Sequence, residues 1–194
     1  DDDRASRYRS AADSIKKGAE EQLYNEKLGR FVRGLFLKNR VWEQDETVDS
    51  SQAGIFLFGM FPPEDPRVIN TVNAIREKLC CKTEIGGIAR YERDYYYKVV
   101  QDTDIAPGNP WFLCTLWIAQ WQIINAQSID DLKEPMEILH WTLKYSHKSG
   151  VLAEQMHPFS GAPLSVSPLT WSHATFVTTV CMWEEKNREL RDSL

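Results

Sequence analysis

Asn109-Pro110-Trp111-Phe112-Leu113-Cys114-Thr115-Leu116-Trp117-Ile118-Ala119-Gln120-Trp121-Gln122-Ile123-Ile124 decides the fold. Asn-Pro reads as a helix cap with proline at the first helical position. The residues that follow are apolar nearly all round, interrupted by Thr115, Gln120 and Gln122. Such a helix needs cover on most sides. At 14 residues, Trp111–Ile124 is too short for a bilayer, which takes about 20. It is therefore an inner helix of a larger helical body.

Two further segments share this character. Asp49 can cap a helix with Gln52 at its third position, and Ala53–Phe61 is almost wholly apolar. Ser167-Pro168 gives the cap-then-proline signal before Leu169–Trp183. The starts at Asp49, Asn109 and Ser167 recur at intervals of 60 and 58 residues. Amphipathic helices alternate with them. One spans 5–23, with Ala11, Ile15, Ala19 and Leu23 on one stripe. A second spans 66–79, opened by Asp65-Pro66 and carrying Val68, Val72, Ile75 and Leu79. A third spans 129–147, opened by Ser128, with Asp130 and Asp131 in its first turn. Inner helices near 50–60, 110–126 and 168–184 thus alternate with outer ones. That pattern predicts an all-α toroid of helical hairpins.

The connections add a functional expectation. Inner-to-outer links are short, at Pro62–Glu64 and about Gln127; outer-to-inner links are long, at roughly 24–48, 80–108 and 148–167. Antiparallel hairpins gather the long links at one end, where a site is expected. Segment 28–48 alternates through Phe31, Leu35, Leu37 and Val41 and reads as a strand hairpin; Gly86-Gly87 reads as a turn.

Composition excludes several classes. The chain has 194 residues, enough for one domain, with 42% hydrophobic and 26% charged residues. A net charge of −5 argues against nucleic acid or a polybasic membrane-surface role. Asp1-Asp2-Asp3-Arg4 is the opposite of a basic signal segment and lacks a starting methionine. With no Asn-x-Ser/Thr acceptor, the expectation is a cytoplasmic protein, with secretion the alternative. Cys80, Cys81, Cys114 and Cys181 show no zinc or disulfide spacing and read as small buried hydrophobes. His140, His147, His157 and His173 form no metal pattern; His173 reads as a core or capping histidine.

Two loops hold candidates for chemistry. In Gly150-Val151-Leu152-Ala153-Glu154-Gln155-Met156-His157-Pro158, the isolated Glu154 reads as a general base or as a carboxylate satisfied by backbone N–H groups. Ile88-Ala89-Arg90-Tyr91-Glu92-Arg93-Asp94-Tyr95-Tyr96-Tyr97 interleaves charge and aromatics, which suits a sugar or a surface loop with local ion pairs. Trp42-Glu43 lies in an alternating charged stretch and reads as surface.

Three ordered motifs resemble glucoamylase-type glycoside hydrolases, family fifteen of that classification. They are Arg90-Tyr91; Gly108-Asn109-Pro110-Trp111-Phe112-Leu113-Cys114-Thr115-Leu116; and Glu154-Gln155 followed by Pro168-Leu169-Thr170-Trp171-Ser172-His173-Ala174. Asp49-Ser50-Ser51 through Pro63-Glu64-Asp65-Pro66-Arg67 resembles the bacterial branch. The resemblance implies an (α/α)6 barrel and hydrolysis of α-glucosidic bonds with inversion, using two carboxylates about 6.5–9.5 Å apart. It implies Glu154 as general base; Arg90, Tyr96, Trp111, Gln155 and Trp171 as substrate-binding residues; an α-glucan or oligosaccharide as substrate; and no metal or organic cofactor. Its Trp-Glu acid motif falls upstream of every match here. Residues 1–194 are thus expected to be the C-terminal half of the barrel, about six of twelve helices, partnered by the N-terminal half or a complementing chain. An uncovered half-ring with several hundred Å² of bare apolar surface would cost about 10 kcal/mol, as much as a domain's whole stability. Against the resemblance, Ala89 replaces a glycine before the arginine, and His173 replaces the tyrosine common in fungal members. A glucan-binding module with the same barrel and no hydrolysis is the alternative reading.

Overall fold

The computed structural model describes residues 2–193. Six α-helices dominate: α1 (Asp2–Gln22), α2 (Gly54–Leu57), α3 (Pro66–Leu79), α4 (Phe112–Asn125), α5 (Lys133–Lys144) and α6 (Thr170–Asp192). Short strands decorate the links: β1 (Tyr24–Asn25) with β2 (Arg30–Phe31), and β3 (Gly34–Lys38) with β4 (Val41–Asp45). A four-stranded antiparallel sheet runs in the order β5 (Ile88–Ala89), β6 (Pro110–Trp111), β7 (Gln155–Met156), β8 (Pro163–Leu164).

Helix α4 is the axis of the chain. Nine of its residues are buried, among them Leu113, Leu116, Ile118 and Ile123. Helices α5 and α6 pack on it, and Val68, Val72, Ile75 and Leu79 of α3 belong to the same core. Asp65 caps α3 by accepting the Arg67 N–H, and the Asp49–Gln52 capping box opens a 3-10 turn at Ser50–Ala53. The β3–β4 hairpin turns at Asn39 and Arg40, both left-handed, as tight hairpins require.

Several sequence expectations need correction. The helix expected near 50–60 is one 3-10 turn plus four α residues. It stops at Phe58, and Gly59 takes the left-handed φ of 70° that turns the chain toward Pro62-Pro63. Neither Asn109-Pro110 nor Ser167-Pro168 is a cap and first turn. Pro110 lies in β6, paired with Ala89, and α4 starts two residues later; α6 starts after Leu169 without a side-chain cap. Helix α6 is not covered on most sides, since its buried residues are the small Ser172, Thr175 and Thr179. These let it approach α4 closely, and Gln120 Nε2 donates to Thr179 Oγ1 at 2.9 Å. The stripe of α1 is mostly bare: Ala19 is buried, but Ile15 is 63% exposed. Cys81 and Cys114 are buried as expected, whereas Cys80 and Cys181 are exposed.

The long links do converge. The four-stranded sheet joins the second to the third, and an Asp49–Tyr91 bridge joins the first to the second. Ser50 N donates to Arg90 O at 2.7 Å, and Glu92 N donates to Val48 O at 3.1 Å.

Candidate active site

A cavity of about 440 Å³ opens where the links meet. Its walls include Arg90, Trp111, Glu154 and Trp171 from the sequence candidates, together with Asp49 and Tyr91. That volume lies within the range of small-molecule sites.

Arg90 follows β5 and is held by a buried carboxylate and three aromatic rings, with 33% of its side chain left exposed. Its Nε donates to Asp94 Oδ2 at 2.9 Å and its Nη2 to Asp94 Oδ1 at 2.8 Å. Asp94 is buried and also accepts the Tyr96 N–H. The guanidinium carbon stands 4.8, 5.2 and 4.9 Å from the ring centres of Tyr91, Tyr96 and Trp111. That aromatic cradle favours a cation. Burial works against the Arg90 charge, but the Asp94 hydrogen bonds and negative charge outweigh it and raise its pKa further. Burial, reinforced by the Asp94 charge, pushes the Tyr91 phenol up, so it stays a neutral donor. Gly108 makes this packing possible, because a Cβ there would lie 2.9 Å from the Asp94 Cβ.

Glu154 immediately precedes β7, where Gln155 pairs with Trp111. Side chains alternate along an extended chain. Glu154 therefore reaches the cavity while Gln155 turns inward and is 0% exposed. The loop is anchored to α6 by Leu169 N to Leu152 O, by Ser172 Oγ to Ala153 O and by Leu152 N to His173 Nε2. Glu154 N donates to Val166 O at 2.9 Å. His173 is thus a half-buried loop anchor; it neither sits in the core nor caps α6.

Two candidates stand apart from the wall. Gln155 does not line the cavity: its Nε2 donates to Glu154 Oε2 at 3.1 Å, and its Oε1 accepts from Asn109 Nδ2 at 2.9 Å. Tyr96 is not a wall residue either; it flanks the Arg90 guanidinium. Trp171 sits half-exposed in the first turn of α6, edge-on to Trp117 at 5.6 Å. Trp42 is exposed and Glu43 pairs with Lys38 at 3.6 Å, outside the cavity.

Sequence reasoning missed Asp49 as a wall residue. Its capping role is real, with Oδ1 accepting the Ser51 N–H at 2.8 Å, and Arg33 Nη1 lies 3.8 Å from Oδ2. The strand-like bridge to Tyr91 is what carries it to the cavity. Cys114 also lines the wall, and burial pushes its thiol far up, so it is a neutral apolar surface. Among the described residues no cluster of three His, Cys, Asp or Glu could hold a metal ion.

A carboxylate, a fixed cation and indole walls around a sugar-sized hollow suit a neutral polyhydroxylated ligand. The family profile described as Glycosyl hydrolases family 15 matches residues 1–134 and 125–181. The chain belongs to this family. An uncharacterized glycosyl hydrolase of Methanocaldococcus jannaschii is 32% identical over 146 residues, 70% of this chain and 22% of that protein. A trehalase of Mycobacterium tuberculosis is 28% identical over 179 residues, 91% of this chain and 23% of that protein. A bacterial glucoamylase complexed with acarbose superimposes with a TM-score of 0.75 at 23% identity, covering 94% of this chain and 30% of that one. This family 15 chain therefore spans less than a third of the length of these relatives. The fold is that of an (α/α)6 toroid, to which the described residues contribute six helices. No helix among them is long and apolar enough to cross a membrane.

Proposed function

We propose that this chain supplies the C-terminal half of the barrel in an inverting, exo-acting α-glucosidic hydrolase that takes α-glucans or maltooligosaccharides. The observation that carries the reading is Glu154 on the wall of the same cavity as Arg90, Trp111 and Trp171. In the proposed reaction the Glu154 carboxylate takes a proton from water. The water oxygen then bonds to the anomeric carbon as the glycosidic bond breaks. A carboxylic acid outside the described residues protonates the departing oxygen, so the proton count balances in one displacement. Arg90 donates to sugar hydroxyls while Asp94 holds it still. Trp111 and Trp171 offer flat apolar faces to the ring, and Asp49 is a hydroxyl acceptor on the opposite link.

The partner in this reading is the other half of the ring, on the same polypeptide or on a complementing chain. The supporting observation is a second hollow of about 570 Å³ between α1 and α2, lined by Ile15, Leu35, Ile55, Phe58 and Met60. Phe58 on its rim is 88% exposed. Further helical hairpins of the toroid would cover this surface.

The test is the configuration of the sugar first released from maltose by an enzyme in which this chain is part of a complete ring. Proton NMR during the first minutes is expected to show β-glucose ahead of its equilibrium share. Initial release of α-glucose, or no hydrolysis of any α-glucoside, would refute the reading.

A further inference from the structure

The backbone leading to Glu154 is tied to its surroundings by four hydrogen bonds, and one of them depends on protonation. Leu152 O accepts from Leu169 N at 3.0 Å, Ala153 O accepts from Ser172 Oγ at 2.9 Å, and Glu154 N donates to Val166 O at 2.9 Å. None of these partners titrates near neutral pH. The fourth tie runs from Leu152 N to His173 Nε2 at 3.0 Å. A backbone N–H can only donate, so the ring accepts at Nε2 and carries its single proton on Nδ1. Protonation adds an N–H at Nε2 and sets two donors face to face. Leu152 is buried, so its N–H would be left without a partner. The other histidines of this link behave differently. His147 Nε2 meets Ser167 Oγ at 2.9 Å, and that hydroxyl serves as donor or acceptor. His157 Nδ1 accepts from Phe159 N and Ser160 N, within its own turn, and ties nothing to α6. Helix α4 carries no charged residue, and α6 has none before Glu184. The titratable groups on the other elements around the ring are His140, Lys144, Tyr145, His147, Lys148 and Glu154. Among the described residues, none of them shares a hydrogen bond or ion pair with His173.

We propose that His173 is a positioning residue for Glu154 that acts only as the neutral imidazole, so that mild acid loosens the base loop and slows the reaction. Leu152 lies two residues before Glu154, so a shift of its backbone carries to the carboxylate. Arg90 and Trp111 hang from other ties and keep their places for the sugar. The neutral ring holds the loop at higher pH, and the tie is lost as pH falls through the range where imidazole takes up its second proton. This rests on the reading of Glu154 as base.

Kinetics against pH test it. His173→Gln sets an amide oxygen near the place of Nε2 and does not titrate. In an enzyme with the ring complete, kcat of the unsubstituted protein on maltose is expected to fall about tenfold between about pH 7.5 and 5.5 at nearly unchanged KM, and that of His173→Gln by no more than about threefold. His173→Leu cannot accept the Leu152 N–H and should be slowed about tenfold at both pH values. Parallel pH profiles for the unsubstituted enzyme and His173→Gln would overturn the proposal, and so would a His173→Leu enzyme at full rate. A second measurement uses this chain alone, labelled with nitrogen-15. Long-range proton–nitrogen spectra should show His173 with its proton on Nδ1 at the upper pH. The protection factor of the Leu152 amide should fall about tenfold as the ring takes up its second proton. A ring with its proton on Nε2, or Leu152 protection indifferent to the state of His173, would overturn the proposal even if no α-glucoside is hydrolysed, an outcome that would separately end the proposed activity.

Discussion

Helices α1 and α4 are built from opposite material for opposite surroundings: α1 is rich in charge and α4 is apolar nearly all round. Helix α1 spans 21 residues and buries one of them, Ala19; α4 spans 14 and buries nine. Helix α4 meets α5 and α6, and the small sheet sits at its first turn. The stripe of α1 faces the hollow beside α2, where no side chain of the described residues fills the space. An amphipathic pattern states that a helix has a partner and is silent on whether the partner belongs to the same stretch of chain. The site adjoins both: Trp111, Leu113, Cys114 and Trp117 bring it the sheet and α4, while Ser51 lines its cavity and the bare hollow alike.

Substitutions can break or sharpen that contrast. Leu116→Ala removes a wholly buried side chain from α4 and is expected to cost about 2–5 kcal/mol in urea unfolding of this chain. A cost below about 1 kcal/mol would mean that α4 is not its axis. Asp65→Ala probes α3, between the extremes, and should cost about 1 kcal/mol through the lost cap. Hydrogen bonds from Arg67 hold the Asp65 carboxyl below its ordinary value, against a smaller opposing effect of burial. A depressed folded-state pKa stabilises the fold above the unfolded value of about 3.9, and that stability is lost as pH falls through the folded value. The gap between Asp65→Ala and the unsubstituted chain should therefore hold at neutral pH and shrink below about pH 4. Ile15→Ala on α1 should change the stability of the chain alone by no more than about 0.5 kcal/mol. Its cost should rise when the remaining hairpins are present, and a large effect in their absence would erase the contrast.

Local chemistry was legible in the sequence, and distant pairing was not. Asp65-Pro66, the Asp49–Gln52 box and the hairpin in 28–48 all act within a few residues, so the sequence displays them. Asn109-Pro110 carries the same local signal as Asp65-Pro66. Its proline is taken by Ala89 in a strand and its amide by Gln155, partners 21 and 46 residues away that no local pattern reveals. The short α2 has a different lesson: Ala53–Phe61 is apolar enough for a helix, and the left-handed Gly59 within that stretch turns the chain away. At the site, Arg90, Trp111, Glu154 and Trp171 could be named from motifs, and they share one cavity. The inward turn of Gln155 depends on strand pairing at β7. The arrival of Asp49 at the wall depends on its bridge to Tyr91. Both are properties of the assembled links.

Glu154→Gln tests the central claim most directly, measured in an enzyme with the ring complete. The account predicts that maltose turnover falls by about 1,000-fold or more while maltose affinity by calorimetry is kept. Turnover at the unsubstituted rate would contradict it.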